Sequence, residues 1–181
     1  MTIVCLGWGS LVWNPEDLPL RGQWHADGPA LPIEFVRRSK NGRITLVVEE
    51  GSNSIPVLWC EMDARSVEAA RTALADREGI SLENAARLIG LWTKDTAGEG
   101  PAAVAKWAES KGFDGAVWTT LGPKFPDMRG APSCDQVIAY LAKLEGETKR
   151  IAEEYIRRAP AQIMTAYRRR IEHELGWTPI A

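Results

Sequence analysis

Prolines at 15, 19, 29 and 32, with glycines at 22 and 28, punctuate the stretch from Asn14 to Pro32. Proline removes a helix donor and restricts the residue before it. This long connection therefore does not read as the crossover helix that a doubly wound parallel sheet requires. Before it, Ile3-Val4-Cys5-Leu6 is a short apolar run that stops at Gly7, which reads as a strand entering a turn. After it, Ile33 to Val36 reads as a second strand, and Asn41-Gly42 as a hairpin turn joining it to Ile44–Val48. A loop at 51–54 leads to a further strand from Ile55 to Met62. Long irregular connections inside compact domains often carry function.

Helical signals begin at Ser66, a good N-cap residue, with Val67, Ala70 and Leu74 at helical spacing. Gly79 fits the position just past the helix end, which puts Glu78 at or near the carboxyl terminus of that helix. Ser81 caps a second expected helix running to Ile89, and 98–100 reads as a loop. Pro101 suits the first turn of a third helix with Val104, Trp107 and Ala108 on one face and Gly112 as its stop. Ala116 to Leu121 reads as a strand ended by Gly122-Pro123. Ser133 and Gln136 form a capping-box pattern ahead of Val137, Ile138, Leu141 and Leu144. The remainder is helical and interrupted at Pro160, with Ile163, Met164, Tyr167, Ile171 and Leu175 on one face of its last part. Strands come first and helices are inserted and then appended, which predicts an α+β domain: a small, partly closed sheet surrounded by helices. The length of 181 residues fits one domain, 1–181.

A composition of 45% hydrophobic and 25% charged residues argues for an ordered globular chain rather than a disordered one. The net charge of −2 gives no global case for nucleic acid. The basic run Arg168-Arg169-Arg170 lies in a helical pattern beside Glu172 and Glu174, and reads as a solvated helix face, with a phosphate-binding patch as the minority reading. No apolar stretch approaches the ~20 residues that cross a bilayer, and the first residues do not read as a signal peptide. A cytoplasmic protein without membrane association is the expectation. Cys5, Cys60 and Cys134 are far apart, and His25 and His173 do not cluster with them, so neither a disulfide framework nor a metal site is expected.

Two short segments have chemical potential. Gly7-Trp8-Gly9-Ser10-Leu11 follows the first strand, and its glycines allow a sharp turn that exposes consecutive N–H groups, a concavity suited to carboxylate or phosphate oxygens. An ordinary glycine turn is the competing reading. Leu74 to Gly79 places Glu78 at a helix C-terminus, where the partial negative charge opposes ionisation and favours a carboxyl able to exchange protons near neutrality. Frayed charges at a helix end, with Asp76 and Arg77 paired to neighbours, are the plain alternative. A Cys5/His25 nucleophile pair is a weaker candidate, since a strand cysteine is usually a small core residue. Thr119 and Thr120 near a strand end suit a pocket lining or, more ordinarily, a surface. Trp59, Trp107 and Trp118 read as core, whereas Trp8 and Trp13 flank the glycine loop and suit a pocket wall.

Gly7-Trp8-Gly9-Ser10-Leu11, followed by Asn14-Pro15, resembles the Gly-Tyr-Gly-Ser-Leu loop of γ-glutamyl cyclotransferases. The strand runs at 45–48 and 55–62, the Arg37-Arg38-Ser39 string and the helix ending in Glu78-Gly79 occur in the family's order. Ala131-Pro132 and Tyr140-Leu141 loosely resemble a later family segment. The similarity is good over residues 3–80 and weak over 130–145. It implies the family's small mixed, partly closed sheet or barrel with a helical C-terminus. It further implies that Gly7, Trp8, Gly9, Ser10 and Leu11 bind the substrate, with the loop amides on its carboxylate. Glu78 would be the acid/base that moves a proton while the substrate amine attacks its own γ-carbonyl, releasing 5-oxoproline. The implied partner is a small γ-glutamyl or similar carboxylate molecule, with no cofactor, no metal, no nucleic acid and no membrane. Two departures stand out: Trp8 replaces the family's tyrosine, and 80–112 reads as a largely helical insert where many members continue into a strand. A non-catalytic carboxylate-binding module on the same fold is the main rival, and a hydrolase using Cys5 is the third.

Overall fold

The computed structural model describes residues 1–95 and 100–180, so the expected 98–100 loop lies largely outside the described residues. In chain order the strands and helices are β1 (Ile3–Gly7), β2 (Leu20–His25), β3 (Ala30–Arg38), β4 (Ile44–Val48), β5 (Ser54–Pro56), β6 (Leu58–Met62), α1 (Val67–Arg77) and α2 (Leu82–Leu88). They continue with β7 (Ile89–Thr93), α3 (Ala102–Lys111), β8 (Gly115–Thr119), α4 (Cys134–Ala142), α5 (Gly146–Arg158) and α6 (Ala166–Leu175). The architecture is α+β, and among the described residues no helix is long and apolar enough to cross a membrane. Contacts between Cα atoms gather the chain into two compact units, one of 1–7, 14–31 and 56–121 and the other of 8–13, 32–55 and 122–181.

The first unit contains a five-stranded sheet in the order β2-β6-β1-β8-β7. β1 is its centre, antiparallel to β6 and parallel to β8, and all five of its residues are buried. That burial on both faces explains why Ile3-Val4-Cys5-Leu6 is a continuous apolar run rather than an alternating one. α1 packs on the sheet with Val67, Ala70 and Leu74 inward, and α3 contributes Val104 and Ala108 to the core. Gly90 admits the indole of Trp118 from the neighbouring strand, where an added Cβ would lie 2.3 Å from the ring.

The second unit contains the sheet β4-β3-β5, with β3 and β4 joined through the expected hairpin. Gly42 takes a φ of 82° in that turn, a conformation open to glycine. The α5 face that carries Ala152, Tyr155 and Ile156 is buried, and α4 lies against α6. The buried Glu34 carboxylate on β3 accepts from the Thr165 hydroxyl and from Tyr167 N at 3.2 Å, so it caps the amino end of α6.

Several expectations need correction. There are two sheets, and neither closes into a barrel among the described residues. The expected strand 55–62 breaks at Val57, whose N–H and C=O bond Pro29 O and Gly28 N at 3.0 Å each, so β5 and β6 enter different sheets. The 14–32 connection contains β2, an edge strand with a register shift between Arg21 and His25 and mostly exposed side chains. Segment 80–112 carries α2 and α3 but also β7, which completes the sheet edge against β8. Trp118 is core, whereas Trp59 and Trp107 are only half-buried and donate to Asp27 Oδ1 and Asp27 O, each at 2.8 Å. Arg168 is fully buried rather than solvated. Its guanidinium donates to the carbonyls of Ala159, Pro160 and Ile163 at 2.8, 2.7 and 3.0 Å, gathering the chain between α5 and α6, while Arg169 and Arg170 are exposed.

Candidate functional site

Gly7 and Glu78 belong to the first unit, and Trp8, Gly9, Ser10 and Leu11 to the second. Within the first, Glu78 is the C-cap of α1. Ser66 starts that helix by accepting from Ala69 N at 3.1 Å. Gly79 ends it with φ 64°, donating to Asp76 O at 3.0 Å, while Ile80 N donates to Ala75 O at 2.8 Å. This pair of reversed bonds is a Schellman cap, and it needs a residue that tolerates the left-handed region. The sequence therefore fixes the backbone of Glu78 from both sides.

The Glu78 carboxylate is one-fifth exposed and holds Arg77 Nη1 at 2.7 Å. Arg77 is in turn fixed by a bond from Nη2 to Asn14 O at 2.6 Å. The arginine is 9% exposed, and its Nε is buried with no acceptor among the described residues. Glu78 and Arg77 both act on the Cys5 thiol of β1: burial pushes that thiol far above its ordinary range, Glu78 adds to the push, and Arg77 opposes it.

The loop that leaves β1 is a tight turn closed by Val12 N donating to Gly9 O at 2.9 Å. The amides of Gly9, Ser10 and Leu11 donate to no protein acceptor among the described residues. Trp8 is buried, with Nε1 donating to Leu46 O at 3.3 Å, so it anchors the loop to β4 rather than walling a pocket. Leu11 is buried and Ser10 half-buried. Gly9 lies against Tyr155 of α5: a Cβ there would stand 2.4 Å from the phenol oxygen. The Tyr155 hydroxyl accepts from Leu46 N at 3.4 Å, and Trp13 meets the same ring edge-on at 5.4 Å.

The weaker candidates separate. Cys5 is fully buried with a thiol held protonated, opposite to what a nucleophile needs. His25 is exposed and stacked on Trp59 at 4.3 Å. Thr119 is half-buried and Thr120 exposed, its hydroxyl donating to Arg87 O at 2.9 Å. Sequence reasoning allowed Arg77 a neighbouring partner without naming Glu78, and missed Tyr155 altogether. The burial of Tyr155 one turn from Ala152 on an amphipathic helix was readable; its approach to Gly9, across 146 residues, was not. Among the described residues no group of histidine, cysteine, aspartate and glutamate gathers as metal ligands. Compared with protein-family models, with curated proteins and with solved structures, the chain matches none.

Proposed function

We propose that this chain is a γ-glutamyl cyclotransferase-like enzyme that releases 5-oxoproline from a γ-glutamyl amide or peptide. The observation that carries the reading is the run of amides at Gly9-Ser10-Leu11, which donate to no protein acceptor among the described residues, on the loop that follows β1. Unpaired, consecutive N–H groups favour a bound anion, here the α-carboxylate of the γ-glutamyl unit. In the proposed step the substrate's α-amine nitrogen bonds to its own γ-carbonyl carbon. Glu78 takes the proton that the attacking nitrogen loses and gives it to the leaving nitrogen as the C–N bond breaks. The products are the five-membered lactam and a free amine, and the proton returns Glu78 to its starting state. Arg77 is a positioning residue: its bond at 2.7 Å fixes one carboxylate oxygen, and its Nε, without an acceptor among the described residues, is a spare donor nearby. Burial on one side and the α1 cap on the other hold the carboxylate in one place, which is what general acid/base work needs.

The test is incubation of the protein with glutathione, γ-glutamyl dipeptides and γ-glutamyl amines, with 5-oxoproline measured by mass spectrometry. Release from at least one member of the panel supports the reading. Binding of the panel without release replaces it with a carboxylate-binding module.

A further inference from the structure

At the end of the β3–β4 hairpin the backbone brings cations together. Segment 122–126 lies along β3: Lys124 N donates to Val36 O at 3.2 Å, Arg38 N donates to Lys124 O at 2.7 Å, and Arg37 forms a parallel bridge with Lys124. Arg37 Nη1 ties the start of that segment by donating to Gly122 O at 2.8 Å. The hairpin turn then folds back, with Ser39 N on Arg43 O at 2.9 Å and Gly42 N on Ser39 O at 3.1 Å. Tyr140 of α4 braces both runs. Its hydroxyl donates to Gly42 O at 2.8 Å, Phe125 meets its ring edge-on at 5.6 Å, and the Arg38 guanidinium lies 5.3 Å from its centroid.

Between the runs is a cleft of about 310 Å³ lined by Arg38, Ser39, Lys40, Lys124, Phe125 and Pro126. Among the described residues no carboxylate lines it. Among the described residues Arg38, Lys40 and Lys124 form no ion pair, whereas Lys94 and Lys111 each hold an aspartate. Gathering like charges without a counter-charge costs free energy, which a bound polyanion would offset. We propose that this cleft binds a small phosphorylated molecule. A carboxylate brings one charge and two oxygens and leaves cations unmatched. A phosphate brings up to two charges and three free oxygens, suited to the arginine fork and the two lysine point charges together. Phe125 and Pro126 give the cleft an apolar side for the organic remainder of the ligand. The volume is that of a small-molecule site, and the chain's net charge of −2 argues against a nucleic-acid surface. The proposal rests on the second unit alone and is independent of the role assigned to Glu78.

Pyrophosphate, titrated by calorimetry at low salt, is the probe, with the double variant Lys40→Ala/Lys124→Ala beside the unchanged protein. Both lysines are exposed, so the thermal melt of the variant is expected to match and serves as the folding control. Pyrophosphate is expected to bind the unchanged protein and to lose about tenfold or more in affinity in the variant, as charge-assisted bonds are removed. Arg38→Ala is expected to weaken binding similarly. No binding by the unchanged protein, or equal binding by the double variant, overturns the proposal. A single-stranded RNA oligonucleotide that binds more tightly than pyrophosphate and loses affinity in the same variant also overturns it, in favour of a nucleic-acid surface.

Discussion

Gly9 is placed against a phenol, and a double-mutant cycle reads that contact directly. A Cβ at residue 9 would lie 2.4 Å from Tyr155 Oη but 3.5 Å from Cζ. The ring has little room to move: it is 5% exposed, lies between Trp13 and Phe35, and carries the Arg43 guanidinium 5.2 Å from its centroid. Gly9→Ala therefore overpacks the loop, at a cost of ~1–3 kcal/mol. Residue 9 does not occupy the left-handed region, so alanine also stiffens the unfolded chain, which stabilises by ~0.4–1 kcal/mol. The net expectation is a loss of ~1–2 kcal/mol. Tyr155→Phe alone removes the acceptor of Leu46 N and costs ~0.5–1.5 kcal/mol. In the Tyr155→Phe background the nearest atom to the new Cβ is at ordinary contact distance, so only the unfolded-state term remains. Gly9→Ala is then expected to stabilise, reversing its sign. Urea unfolding followed by tryptophan fluorescence measures all four corners of the cycle. If Gly9→Ala costs the same in both backgrounds, within the ~0.3–0.5 kcal/mol expected of independent sites, the close approach is not what keeps residue 9 a glycine.

Gly79→Ala forces a side chain into the left-handed region at the α1 cap and is expected to destabilise by ~1–2 kcal/mol in urea, with Gly79→Asn costing less; equal stability of Gly79→Ala would refute the cap. Burial pushes the Glu34 carboxyl above its ordinary value of 4.5, against bonds from Thr165, Phe35 and Tyr167. The native state then holds the proton more tightly than the unfolded one, so this contribution is full below the unfolded value and is lost as pH rises through the folded value. Glu34→Gln is expected to lose that fall in stability above about pH 4.5; urea curves that change with pH in parallel in both proteins would contradict it. Iodoacetamide labelling of the native protein, mapped by mass spectrometry, is expected at Cys134 before Cys5 or Cys60, which are buried; prompt labelling of Cys5 would revive the thiol as a nucleophile.

What could be read from the sequence was what local rules govern. The apolar run of β1, the Ser66 and Gly79 ends of α1, the Asn41-Gly42 hairpin and the Ser133–Gln136 capping box all follow from short-range spacing. β2 escaped because its side chains are mostly exposed, leaving no apolar alternation among the prolines. β7 escaped because Ile89 begins it directly from α2 with no turn residue between them. Arg168 looks like its exposed neighbours in sequence, and only the carbonyls left open between α5 and α6 explain its burial. At the candidate site, the capped position of Glu78 was legible from Gly79. The grip of Arg77 was not, because it depends on Asn14 O, which is 63 residues away.

The most direct test of the central claim compares 5-oxoproline release by the unchanged protein and by Glu78→Gln. Glutamine is close to isosteric, keeps an acceptor for Arg77 and cannot exchange a proton. The variant is expected to melt at nearly the same temperature, to bind a γ-glutamyl substrate with similar affinity by calorimetry, and to lose ~10²–10⁴-fold in turnover. Undiminished release of 5-oxoproline by Glu78→Gln would remove this carboxyl from the chemistry and contradict the account.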